Sequence, residues 1–206
     1  MIKSSSKIKV GVLISGGGTN LQTIIDRSAA GGLDAEVVCV VSNRADAFGL
    51  QRAKKHGIPA LHLDHRSYSG RQEYDTALAE YLKSFNVDLV VLAGFMRIVT
   101  PILLDAFPNR VMNIHPALLP SFPGLDAQKQ ALDYGAKISG CTVHFVDAGT
   151  DTGPIILQSA VPVLEDDTVE TLSERIHIEE HRLYPAAIQL FAEGRLKVEG
   201  RKVRIS

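Results

Sequence analysis

The run Ile8-Lys9-Val10-Gly11-Val12-Leu13-Ile14-Ser15-Gly16-Gly17-Gly18-Thr19-Asn20-Leu21 decides the fold class. Its first part, Ile8 to Ile14, is short and apolar enough to be a buried strand, and Leu21, Ile24 and Ile25 then mark one face of a helix. A strand that passes through glycines into a helix is the opening of a βα unit. The same turn can hold an anion. Glycines let the backbone approach closely, the first N–H groups of the helix lack partners within it, and the helix dipole favours negative charge there. Thr19 and Asn20 add side-chain donors. The loop lacks the Walker lysine, and Gly-Gly-Gly-Thr-Asn does not match G-x-G-x-x-G. That disfavours a nucleoside triphosphate or a dinucleotide and leaves a single phosphate monoester as the better fit. A plain tight turn with a threonine cap is the alternative reading.

Downstream the pattern repeats. Residues 36–41 form a second buried strand ending in Ser42-Asn43-Arg44, residues 45–56 a helix stopped by Gly57, and residues 59–63 a short strand. Residues 71–85 form a helix with Tyr74, Leu78, Tyr81 and Leu82 on one face. Residues 88–93 are apolar, as a strand covered on both sides of a parallel sheet must be. Thr100 reads as an N-cap with Pro101 at the first position of a short helix to about Ala106. Residues 110–115 are the next strand, and a proline-stiffened loop leads to a helix at 126–134 ended by Gly135. Strands 137–146 and 154–163 are joined by a short polar loop, which makes them antiparallel. The expected fold is α/β: a doubly wound, mostly parallel, Rossmann-like twisted sheet with antiparallel strands toward the C-terminal part. Asp167-Thr168-Val169-Glu170 carries capping signals for a long last helix. Pro185 within that helix predicts a kink or break, and residues 195–205 an edge hairpin around Glu199-Gly200.

Composition narrows the function classes. The chain has 206 residues with 22 Lys+Arg against 23 Asp+Glu, so its field offers no pull toward nucleic acid or an anionic membrane. Cys39 and Cys141 both sit in apolar runs and read as buried strand cysteines, with a reducing cytoplasm as the default location. Lys3, Lys7 and Lys9 precede an apolar run too short for a signal peptide or a membrane span.

The chemistry centres on Val111-Met112-Asn113-Ile114-His115-Pro116-Ala117-Leu118-Leu119-Pro120. Asn113 and His115 project to one face of a strand that Pro116 ends. That puts an amide and an imidazole at a strand's carboxyl end, where open α/β sheets bind ligands. Asp151 stands in a polar loop after a later strand. No serine lies in a G-x-S-x-G elbow, and neither cysteine is placed as a nucleophile. His177-Ile178-Glu179-Glu180-His181 differs from H-E-x-x-H, so no metal is expected and a solvated helix face is the plainer reading. Without nucleophile or metal, the set suits direct transfer between two bound substrates. The amide and imidazolium would stabilise an oxyanion, and the carboxylate would hold the imidazole charged and relay protons. His115 alone could equally be a strand-end histidine on a loop carbonyl. His144 reads as a structural partner of Asp151 or of a carbonyl. Phe95, Met96, Ile98 and Val99 are either core or an apolar slot for a flat heterocycle.

Together, Ser15 to Gln22, Ala93-Gly94-Phe95-Met96-Arg97, Asn113 to Pro120 and Asp151-Thr152-Gly153-Pro154-Ile155-Ile156 closely resemble the phosphoribosylglycinamide formyltransferase family, from about Lys9 to Pro185. The Asn-x-His-Pro-x-Leu-Leu-Pro motif is shared with other formyltetrahydrofolate-using families, which would carry further domains that 206 residues do not accommodate. The resemblance implies one domain over 1–206, with a phosphate-binding half to about 110 and a catalytic and folate-binding half from about 111. It implies transfer of formyl from 10-formyltetrahydrofolate, as co-substrate, to phosphoribosylglycinamide, with Asn113, His115 and Asp151 catalytic. The ribosyl substrate would meet Gly18, Thr19, Asn20 and the turn His177, Ile178, Glu179 and Glu180, with Glu180 on the ribose hydroxyls. The folate would meet Arg71, Met96, Arg97, Ile98, Val99, Asn113 and the loop Asp147, Ala148, Gly149, Thr150 and Asp151, with His144 in support. A monomer or homodimer is expected. Two departures are Gly17, where many members have Asn, and Asp126, where some have His.

Overall fold

In the computed structural model, which describes residues 7–206, strand β1 (Ile8–Ile14) has parallel neighbours on both sides. On one side are β2 (Ala35–Ser42) and then β3 (Ala60–His62); on the other are β4 (Leu89–Leu92) and then β5 (Val111–His115). Beyond β5 the direction alternates through β6 (Ile138–Phe145) and β7 (Ile155–Pro162), each antiparallel to the strand before it. The terminal hairpin of β8 (Leu196–Glu199) and β9 (Lys202–Ile205) adds to the edge through β9, which pairs parallel to β7. The whole order is β3-β2-β1-β4-β5-β6-β7-β9-β8, the mixed doubly wound sheet that the sequence pattern implies. Lys3 lies outside the described residues.

Strand alternation divides the core. Val10, Val12 and Ile14 of β1 pack with Leu21 and Ile24 of α1 (Thr19–Ala29) and with Ile176 and Ile188 of α6 (Val169–Ala192). Leu13 faces the other side, against Tyr74, Leu78 and Leu82 of α3 (Arg71–Ser84) and Leu103 of α4 (Pro101–Ala106). Two further helices, α2 (Phe48–Lys55) and α5 (Ala127–Tyr134), complete the cover. Among the described residues no helix is long and apolar enough to cross a membrane. Cys39 and Cys141 are buried, free thiols, each pushed up to about 12 by burial.

The structure corrects three local expectations. The helix expected from residue 45 starts at Phe48, because Ser42 Oγ bonds both the N–H and the carbonyl of Arg44 and so holds a turn ahead of it. Thr100 precedes α4 with Pro101 at its first position, but its hydroxyl makes no cap bond; Asp75 takes its N–H instead. Pro185 does not break α6, which is continuous across it. A mid-helix proline costs about 3 kcal/mol, whereas burying a large apolar side chain returns roughly 1.5–3 kcal/mol. Leu183, Tyr184, Ala187 and Ile188 are all buried around it, and Tyr184 Oη lies 3.0 and 2.9 Å from the carbonyls of Leu92 and Met112.

Candidate active site

The chain leaves β1 toward β2 and leaves β4 toward β5, in opposite directions across the sheet. The loops after β1 and β4 therefore part and open a crevice, the usual ligand position in such sheets. A cleft of about 860 Å³ runs there, over the carboxyl ends of β1, β4 and β5. Ser15 ties its two sides. Its N–H donates to Gly94 O (3.0 Å), its Oγ accepts from Met96 N–H (2.8 Å), and its hydroxyl donates to Asn43 Oδ1 (2.5 Å). Gly16, Gly17, Gly18, Thr19 and Asn20 line the cleft. Gly18 is the N-cap of α1 in the left-handed region (φ 70°), and no side chain caps the helix. Its first N–H groups are thus left for a ligand.

Within the cleft, antiparallel register sets Asn113 of β5 directly opposite His144 of β6. His144 Nδ1 lies 2.9 Å from Phe145 O, and a carbonyl only accepts, so Nδ1 carries a proton. Burial pushes the His144 pKa below its ordinary value, so the ring is neutral and Nε2 accepts. The bond to Asn113 Nδ2 at 3.2 Å therefore has the amide donating, which orients Asn113 and leaves its second amide hydrogen for the cleft. The approach of Asp151 Oδ1 to His144 Nε2, 3.8 Å, is accordingly not an ion pair.

His115 is placed differently. Its Nε2 lies 2.8 Å from Phe122 O and its Nδ1 lies 3.3 Å from Asp151 Oδ2. Both ring nitrogens face acceptors, and only a doubly protonated ring satisfies both. Asp151 sits in the left-handed region (φ 54°) and also accepts the Gly124 N–H at 2.8 Å. Asn113, His115 and Asp151 thus converge in one cleft, with His144 buttressing Asn113. The bond from His115 to a loop carbonyl, the plainer of its two sequence readings, is present as well.

The remaining site residues divide. Arg71, Met96, Arg97, Ile98, Val99, Asp147, Gly149 and Thr150 line the cleft, and Ala148 does not. Met96 and Ile98 are 66% and 54% exposed, apolar side chains left open to a ligand. Of the turn on α6, His177 and Glu180 line the cleft, as helical i, i+3 spacing allows. Ile178 and Glu179 do not: Ile178 points to solvent, and Glu179 bonds Ser159 and Arg182. Glu180 is buried, accepts from Asn20 Nδ2 at 2.9 Å, and burial raises its carboxyl pKa. His177 and His181 stack with ring centroids 6.2 Å apart, yet no group of three or more metal-ligating side chains occurs among the described residues. Sequence reasoning missed the wall formed by Gly124, Leu125, Asp126 and Gln128. Its signal was the stiff Pro120-Ser121-Phe122-Pro123-Gly124 run, and the left-handed Phe122 and Asp126 fold that run back over His115.

Comparison with known proteins adds to this geometry. Residues 8–188 match the family described as formyl transferase. The chain is 45% identical over 191 residues to a phosphoribosylglycinamide formyltransferase of Haemophilus influenzae, covering 93% of this chain and 90% of that protein. It is 50% identical over 196 residues to the trifunctional purine biosynthetic protein adenosine-3 of Drosophila pseudoobscura pseudoobscura, 94% of this chain. It spans only 14% of the length of that relative. Among solved structures, glycinamide ribonucleotide transformylase 1 from Symbiobacterium toebii superposes with a TM-score of 0.97 at 60% identity, covering 100% of this chain and 97% of that one.

Proposed function

The chain belongs to the formyl transferase family, and from that premise we propose that it transfers the formyl group of 10-formyltetrahydrofolate to the amine of 5-phosphoribosylglycinamide in purine biosynthesis. The observation that carries the reading is one cleft lined by three kinds of group: an uncapped glycine loop, the set Asn113, His115 and Asp151, and an open apolar slot. Neither a one-ligand sensor nor a simple hydrolase needs all three.

The phosphate belongs on the N–H groups of Gly18, Thr19 and Asn20 in the first half of the chain, to about residue 110. Glu180 and His177 lie within the same cleft for the ribose. The slot of Met96, Arg97, Ile98 and Val99 suits a flat heterocycle, since two of its apolar side chains are uncovered. Arg71 and the loop from Asp147 to Asp151 would hold the rest of the folate. When bound, the folate supplies the formyl carbon that the glycinamide amine attacks. Asn113, oriented by neutral His144, donates its free amide hydrogen to the developing oxyanion. In its doubly protonated form His115 adds positive charge beside that oxygen and gives a proton to the departing folate nitrogen. Asp151, directly or through a water, takes the proton lost by the amine and balances the His115 charge.

One assay tests the reading. Incubation with 10-formyltetrahydrofolate, with and without phosphoribosylglycinamide, should release tetrahydrofolate only when both are present. Release without the acceptor would make the protein a hydrolase, and no release under either condition would leave it a binding protein.

A further inference from the structure

α2 packs against the glycine loop, and none of its residues lines the cleft. Gly49 N–H donates to Gly16 O at 3.1 Å, and Arg52 Nε–H donates to Gly17 O at 2.8 Å. Arg52 is itself held by Gln22 Oε1, 3.2 Å from Nη1, and by the ring of Phe48, 4.9 Å from the guanidinium carbon. The seat has no spare room. A Cβ on Gly18 would lie 2.8 Å from Gly49 Cα, and one on Gly49 would lie 2.4 Å from Ile14 Cδ1.

In a trans peptide the C=O and the following N–H point in opposite directions. The carbonyls of Gly16 and Gly17 are turned back onto α2, so the N–H groups of Gly17 and Gly18 are turned away from it, toward the cleft those residues line. Consecutive glycines have the widest conformational freedom of any residues, and a peptide flip there would present carbonyl oxygens to an incoming anion. The two donors from α2 oppose that flip. We propose that Arg52 is a positioning residue for the anion loop, fixing the Gly17–Gly18 peptide through its Nε–H rather than attracting the phosphate by its charge. The inference rests on reading this loop as the phosphate site of the ribosyl substrate.

Three substitutions separate the hydrogen bond from the charge. Arg52→Gln removes the charge but keeps a nitrogen donor at the chain position of Nε. Arg52→Lys keeps the charge but places a methylene there. Arg52→Met has neither. The expected order of KM for phosphoribosylglycinamide is wild type, Gln within about threefold, then Lys, then Met at about tenfold or more, a tenfold change being about 1.4 kcal/mol. The KM for the folate and kcat at saturation should stay within about twofold, since the chemistry lies elsewhere in the cleft. Lys outperforming Gln, or an unchanged KM in the Met protein, overturns the proposal. If Arg52→Met does not fold, the Gln–Lys order still decides it. Titration with inorganic phosphate, read from the amide shifts of Gly17 and Gly18, keeps the test independent of the activity. Wild type should respond and the Lys protein much less. Absence of any response in wild type also counts against the proposal, whereas a response without formyl transfer refutes only the assigned function.

Discussion

Replacing Asn113 with alanine tests the centre of the site, because it should act on rate and on stability by separate routes. On the rate, it removes the amide hydrogen proposed to stabilise the developing oxyanion. Loss of such a donor costs roughly 100- to 1,000-fold in kcat, about 2.7–4 kcal/mol. On stability, it leaves His144 Nε2 without its donor in a residue only 1% exposed. His144 cannot readily escape by taking a proton from solvent, since burial already depresses its pKa. The cost of an unsatisfied buried acceptor, about 1–3 kcal/mol, therefore remains. At about 2–4 °C per kcal/mol for a chain of this size, the melting temperature should fall by roughly 2–12 °C. Single-turnover release of tetrahydrofolate with both substrates saturating reports the chemical step, and calorimetry reports the melt. Turnover within tenfold of wild type, from a protein that melts close to it, would refute the assignment of Asn113 as the oxyanion donor.

Glu180→Gln should lower activity yet raise stability at neutral pH. Burial raises the folded-state pKa of Glu180 above 4.5, so the folded protein holds this proton more tightly. Its stabilising contribution is present below that value and lost as pH rises through the folded pKa. The gain of the Gln protein in a denaturant titration should thus be present at pH 7.5 and absent at pH 4. His144 gives the opposite slope. Its folded pKa lies below 6.5, so stability is complete above that value and declines as pH falls and the unfolded chain takes up the proton. A His144→Leu protein should lack that part of the acid slope in the same titration. Ser15→Ala strands the Met96 N–H and Asn43 Oδ1, so the KM for the folate should rise by more than that for the ribonucleotide; equal changes in both would remove Ser15 as an anchor of the folate segment.

The fold was legible because its signals are local. The apolar run of β4, the glycine turn after β1 and the short loop between β6 and β7 each act within a few residues. Misplaced boundaries arose where a side chain bonded the backbone instead of continuing the helix, as Ser42 does before α2. The break expected at Pro185 does not occur, because its local cost is offset by the large side chains buried around it, which a local signal does not carry. Asn113 and His115 were visible as a pair because strand period alone puts them on one face. The contact of Asn20 with Glu180 joins residues 160 apart, and the role of Arg52 depends on where α2 lands. No spacing rule along the chain could have found either.

Register joins these levels. β5 and β6 are joined by a long loop and a helix, so no tight turn sets their pairing. A one-residue slip would turn one strand's side chains to the opposite face and part Asn113 from His144. Thr142, opposite His115, supplies the missing constraint. Its buried hydroxyl donates to Ala117 O (2.7 Å) and accepts from Leu119 N–H (3.0 Å) and Gln158 Nε2 (2.9 Å). All three of its hydrogen-bonding positions are used, which ties β6 to the loop leaving β5 and to β7 at once. That loop continues to Phe122, whose carbonyl holds His115, and to Gly124, whose N–H holds Asp151. The same hydroxyl that fixes the pairing thus also anchors the segment that holds His115 and Asp151. It is why the two histidines next to Asn113, His144 directly across on β6 and His115 two positions along β5, can be held with different partners.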